Sequence, residues 1–226
     1  MITEAEFTAL RISVQSAALG TFLAFPIAGL LALTLVRAKI KWKFLLDTLV
    51  SIPLAMPPII TGYFLLILFG KNGPLGSMLD TTFGVEIIFT WVAAALAAGL
   101  IALPLMVRAI EVALAEMDPR MELVARSLGA SRWYAFWTIT IPLCKKGLIA
   151  SILLGFARGL GEFGATLIIA GNIPGRTQTL PLAMFTELQA GNDNSVLRLI
   201  LLSLILTFLT LLIHHVLIRK RKTEAK

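Results

Sequence analysis

Five stretches of this chain are too long, too apolar and too poor in charge to be anything but membrane spans. They run from about Ile12 to Val36, Phe44 to Phe69, Ile87 to Val107, Gly147 to Ala170 and Val196 to Ile218. A helix needs about 20 apolar residues to cross a hydrocarbon core of about 30 Å, and each stretch supplies them. No water satisfies backbone N–H and C=O groups in hydrocarbon, so these segments are expected to be helical. Of the 226 residues, 58% are hydrophobic and 15% charged. Soluble domains run to about 45–50% apolar and about 25% charged. This composition excludes disorder, and five spans leave no length for a soluble catalytic domain. The expectation is an all-α membrane protein, a single transmembrane domain over 1–226.

The positive charges orient it. Arg37, Lys39, Lys41 and Lys43 lie between the first two spans. Arg108, Arg120, Arg126, Arg132, Lys145 and Lys146 lie between the third and fourth. Arg219, Lys220, Arg221, Lys222 and Lys226 follow the fifth. These are 15 of the 20 basic residues, all on one side, against Arg11, Lys71, Arg176 and Arg198 on the other. The positive-inside rule puts the N-terminus outside and the C-terminus in the cytoplasm. The first residues carry Glu4 and Glu6, not a basic region, so no cleavable leader is expected. Cys144 is the lone cysteine and can form no intrachain disulfide.

The connections differ in character. Residues 37–43 form a short cytoplasmic turn. Residues 70–86 form an external loop with the turn signal Gly70-Lys71-Asn72-Gly73-Pro74. Residues 171–195 form a second external loop, with a short helix expected over Leu180–Gln189 after Pro181. No internal repeat is visible, and secondary transporters commonly form their site between repeats. A second copy of the chain would then be needed to enclose a pathway.

The cytoplasmic segment at about 111–143 is the most informative. Asp118-Pro119 predicts a helix start. Met121, Val124, Ala125 and Leu128 then share one face at helical spacing. Gly129 is placed to end the helix in a left-handed conformation. A second amphipathic piece runs from Ser131 to Thr138 and returns to the membrane through Ile141-Pro142-Leu143. Two uses fit such a helix pair. Trp133, Tyr134, Phe136 and Trp137 could hold it at headgroup depth. Alternatively, it could dock into a groove on a partner.

Within the spans, Arg158 and Glu162 stand at i, i+4 on one helical face. Charges inside a membrane are costly and face a bundle interior or a water-filled cavity. They either line a path or neutralise each other structurally. Pro53, Pro57 and Pro58 break the second span. Gly155 and Gly159, with Ala93, Ala94, Ala97 and Ala98, allow close helix approach. His214 and His215 point about 100° apart on a helix and make a poor metal pair. No P-loop, nucleotide fingerprint or metal-ligand constellation is present in the sequence. No enzymatic role, cofactor or nucleic-acid partner is expected of this chain.

Glu122-Leu123-Val124-Ala125-Arg126-Ser127-Leu128-Gly129 followed by Ile141-Pro142-Leu143 resembles the EAA motif of ATP-binding-cassette importer permeases. That motif reads Glu-Ala-Ala, three residues, Gly, and later Ile-x-Leu-Pro. This chain departs mildly at Leu123 or Val124 and in its Ile-Pro-Leu ending. Pro57-Pro58-Ile59-Ile60-Thr61-Gly62-Tyr63, Gly73-Pro74-Leu75-Gly76 and Ile173 to Pro181 look like the molybdate type. Gly161-Glu162-Phe163-Gly164-Ala165-Thr166 is similar to a pattern shared by molybdate and sulfate permeases. The resemblance implies a type I importer permease in a bacterial inner membrane, moving molybdate inward by alternating access. It implies a homodimer, two cytoplasmic ATPase subunits carrying the ATP and Mg, an external substrate-binding protein and surrounding lipid. It also implies ATPase coupling through Glu122, Ala125, Arg126, Gly129, Ala130 and Ser131, with a pathway near Pro57, Pro58, Arg158 and Glu162. The alternatives are a sulfate, thiosulfate or tungstate permease, an ATP-independent anion channel or secondary carrier, and a membrane enzyme.

Overall fold

The computed structural model describes residues 3–38 and 41–219. Lys39 and the tail residues Lys220, Arg221, Lys222 and Lys226 lie outside the described residues. Helix α1 spans Glu4–Arg37, α2 Lys43–Ala55, α3 Pro58–Phe69, α4 Pro74–Phe83 and α5 Trp91–Ala115. Helix α6 spans Arg120–Ser127, α7 Arg132–Ala135, α8 Ile141–Leu160, α9 Gly164–Ile169, α10 Leu180–Gln189 and α11 Asp193–Arg219. A π-helical segment, Phe136–Thr140, joins α7 to α8. Helix α1 starts from a capping box. Glu6 N–H donates to Thr3 Oγ1 at 3.2 Å, and Thr3 N–H donates to Glu6 Oε2 at 2.8 Å.

Four rods are long and apolar enough to cross alone: Glu4–Arg37, Trp91–Ala115, Arg132–Leu160 and Asp193–Leu217. The fifth crossing is the pair α2 and α3, bent by 109° at its break. The packing register shows that this pair does cross. Ser16 donates to the Trp91 carbonyl at the start of α5. Gly20 lies against Ala95 and Gly99. Farther along α1, Ala24, Ala28, Ala32 and Leu35 pack with Ala102, Met106, Val107, Ile110 and Leu114 of α5. Helices α1 and α5 therefore run parallel, and the chain between them must return across the membrane. Val50 of α2 packs in that same far cluster. Leu65 of α3 packs with Ala93, Ala94 and Ala97 at the near end. The proline break thus lies at mid-depth.

Helix α8 runs back against α5. Gly147 lies on Ala113, Gly155 on Met106 and Gly159 on Ala98. The small residues of α5 and α8 are thus spent on packing within the chain. Helix α11 begins beside the start of α1, where Arg198 Nε bonds Glu6 Oε1 at 2.9 Å. Five crossings with the ends on opposite faces result, and the basic residues assign the faces. Arg108 ties α2 to α5 through Asp47 at 2.7 Å and Ser51 at 2.9 Å.

Three expectations are corrected. The external stretch 70–86 holds a helix, α4, with Pro74 in its first turn and Gly84 in the left-handed region at its end. The second cytoplasmic piece is not a separate helix. It runs unbroken into the fourth span, because the π segment absorbs Pro142, which has no N–H to donate. The fourth span does not run to Ala170 as one unbroken helix. Helix α8 stops at Leu160, and the chain breaks before α9 starts at Gly164.

Candidate functional site

Two regions hold the residues marked by sequence. The first is the cytoplasmic turn from α6 to α7. Asp118 Oδ1 accepts the Arg120 N–H at 2.9 Å and caps the start of α6. Gly129 has φ +94°, the left-handed conformation expected of it. Gly129 N–H donates to the Arg126 carbonyl and Ala130 N–H to the Ala125 carbonyl. These two bonds form a Schellman ending. Ser131 Oγ then accepts the Tyr134 N–H at 3.1 Å and starts α7. Each local feature has a local cause, which is why the turn was readable.

The orientation of α6 was not readable. Met121, Val124 and Leu128, which share a face at the expected spacing, are 53%, 58% and 84% exposed, so the chain itself does not cover that face. Glu122 and Ala125 turn toward the rest of the chain instead, while Arg126 and Ser131 are exposed. Trp133, Tyr134 and Trp137 are exposed beside them. Glu122 Oε2 lies 2.8 Å from Arg37 Nη2 at the end of α1. It also accepts from Thr140 Oγ1 at 3.1 Å. Glu122 thus makes two polar contacts within its own chain. Sequence reasoning counted Arg37 only as an orienting charge and passed over Thr140. No local signal marks a partner 103 positions away.

The second region is where the two broken spans meet. Pro57 and Pro58 sit at the break between α2 and α3. A Cβ on Gly164, at the start of α9, would lie 3.1 Å from Pro58 Cβ. One on Gly62 would lie 2.7 Å from Ala165 Cα. The structure therefore brings Pro58 and the stretch after Glu162 together. Arg158 Nη1 and Glu162 Oε2 pair at 3.1 Å, with side chains 32% and 2% exposed. They do not share a helical face as expected, because Gly161 ends α8 and Glu162 stands in the break. Glu162 Oε1 accepts the Ala165 N–H at 2.9 Å. The carboxylate thus neutralises Arg158 and satisfies an amide freed by the helix break. An irregular backbone is tolerated at membrane depth only with such partners. Phe163 packs against Phe185 of α10, ring centroids 5.3 Å apart.

The family described as binding-protein-dependent transport system inner membrane component matches residues 20–223. The chain belongs to that family. It is 41% identical over 226 residues to the molybdenum transport system permease protein ModB of Escherichia coli K12, covering 100% of this chain and 99% of that one. It is 41% identical over 209 residues to ModB of Haemophilus influenzae, covering 92% and 91%. Among solved structures, a bacterial ABC transporter importing the acidic polysaccharide alginate superposes with a TM-score of 0.76. It shows 15% identity over 97% of this chain and 81% of that one, and supports the fold alone. As an inner membrane component, the chain is a multi-pass subunit of a transport system, with five crossings as predicted.

Proposed function

We propose that this permease carries molybdate into the cytoplasm as a homodimer bound to two ATPase subunits. The observation that supports this reading is its likeness, along the whole chain, to molybdenum transport permeases. A substrate-binding protein delivers the anion to the external face. The nucleotide and Mg belong to the ATPase subunits. The segment at about 111–143 receives their motion. Gly129 sets the turn, Ala125 lies at the seat, and Arg126, Ala130 and Ser131 border it. Alternating access then opens a pathway between the two copies.

Pro57, Pro58, Arg158 and Glu162 are proposed to border that pathway. A mid-membrane guanidinium lowers the cost of desolvating a dianion, and Glu162 keeps it from becoming a trap. Arg158→Gln is expected to assemble normally and to slow uptake by about tenfold, a barrier change of about 1.4 kcal/mol. Normal uptake by normally assembled Arg158→Gln complex would remove Arg158 from the pathway.

The substrate is tested by deleting the coding sequence and following uptake of trace molybdate, tungstate and sulfate in parallel. Selective loss of molybdate uptake, with or without tungstate, is the expected result. Loss of sulfate uptake alone would keep the importer and overturn the substrate.

A further inference from the structure

Helix α6 has little to hold it against its own chain. None of its eight residues is buried, and its apolar side chains face outward. Its firm attachment is Glu122. The Glu122 carboxylate, the Arg37 guanidinium and the Thr140 hydroxyl close a triangle with sides of 2.8, 3.1 and 3.2 Å. Thr140 is fully buried and the Glu122 side chain is 13% exposed. The Arg37 side chain is 28% exposed, so water reaches the triangle mainly from that corner, and charge-assisted bonds are among the stronger ones.

The other two corners matter because of what they end. Arg37 is the last residue of α1, a 34-residue rod. Thr140 is the last residue of the π segment, directly before α8. The Arg37 guanidinium also lies 6.0 Å from the Phe136 ring centroid, at the first residue of that segment. Phe136 in turn makes edge contacts with the exposed Trp133 and Trp137. Arg37 thus touches both ends of the one irregular turn in the rod from α7 to α8.

We infer that the Arg37–Glu122–Thr140 triangle is the link that carries displacement of α6 into α1 and α8 together. Residues 116–119 connect α6 covalently to α5, and residues 128–131 connect it through the Gly129 turn to the rod of α7 and α8. Without the triangle, α6 turns on these two connections, α1 is not joined to it at all, and α8 follows only through the turn. Arg37 and Thr140 are positioning residues: they act through Glu122 and touch no substrate. The inference rests on the importer reading above.

The test uses the whole complex, with ATPase subunits and binding protein, in proteoliposomes. The measured quantity is molybdate imported per ATP hydrolysed. In Arg37→Gln and Thr140→Val, hydrolysis persists and this ratio falls by about fivefold or more. Arg37→Lys keeps the ion pair and recovers most of the ratio. A merely structural role lowers the amount of complex and leaves the ratio per complex unmoved; that outcome overturns the link. Where Arg37→Gln fails to assemble, Thr140→Val, which loses one hydroxyl and keeps its shape, decides the question. A wild-type complex that carries sulfate and not molybdate overturns the substrate alone, and the ratio measured with sulfate still decides the link.

Discussion

Gly20→Leu is expected to abolish accumulation of the protein in the membrane. A Cβ at Gly20 would lie 2.3 Å from the Ala95 carbonyl oxygen and 2.8 Å from the Gly99 amide nitrogen. Both are backbone atoms, so no side chain can swing away. Helices α1 and α5 must move apart at their crossing. That separation opens the seam lined by Ala24, Ala28, Ala32, Met106, Val107 and Ile110. Packing is the main force between helices in lipid, where burial from water no longer drives association. Overpacking costs about 1–3 kcal/mol even where side chains can adjust. A backbone collision along a seam of this length exceeds that range. Gly99→Leu should behave alike, since its Cβ would lie 2.6 Å from the Gly20 carbonyl oxygen. Gly29→Ala is the control, because nothing lies within 4 Å of its Cβ position. Immunoblots of membrane fractions check all three. Wild-type levels of Gly20→Leu would show that the α1–α5 contact is not close in the folded protein.

Gly129→Val is expected to leave the chain in the membrane and to reduce substrate uptake by at least about tenfold. No atom lies within 4 Å of a Cβ there, so the penalty is conformational. Gly129 has φ +94°, and a β-branched residue in that region is a genuine outlier. The cost is about 1–3 kcal/mol, similar to the net worth of the two hydrogen bonds of the ending at about 0.5–1.5 kcal/mol each, so the turn should reopen. The exposed aromatic face of α7 and the π segment would then leave its position beside α6. Asparagine tolerates the left-handed region better than other residues bearing a Cβ. Uptake should therefore rank glycine, asparagine, alanine, valine. Retention of the ATPase on affinity-tagged permease should follow the same order. Wild-type uptake by Gly129→Val would remove the turn from coupling.

Much of this molecule was legible because its signals are local. Thr3 and Glu6 form a capping box, a pattern carried by two residues three apart. Asp118, Gly129 and Ser131 each act within a few residues of themselves, and the structure finds the turn they predict. Pro57 and Pro58 marked a real break. Arg158 and Glu162 were rightly paired, though the helix between them ends. Their spacing is as compatible with a capping carboxylate as with a helical face, and Gly161 and Gly164 were the available hint. The apolar face of α6 follows the expected spacing and is left uncovered by the chain itself. Periodicity says which residues share a face, and it does not say whether the chain itself covers that face.

By itself the sequence determined the five crossings, their orientation and the position of the cytoplasmic turn. Hydrophobic length is set against membrane thickness, and charge is set against the two sides of the bilayer. Both are one-dimensional properties that the external solvent reads segment by segment. The tertiary structure alone decided that α1 and α5 run in contact, that the two broken spans meet at their breaks, and that Glu122 reaches Arg37 and Thr140. Those outcomes depend on the register between helices far apart in the chain. That register is chosen by which small residues let two backbones approach, and no single helix carries the information.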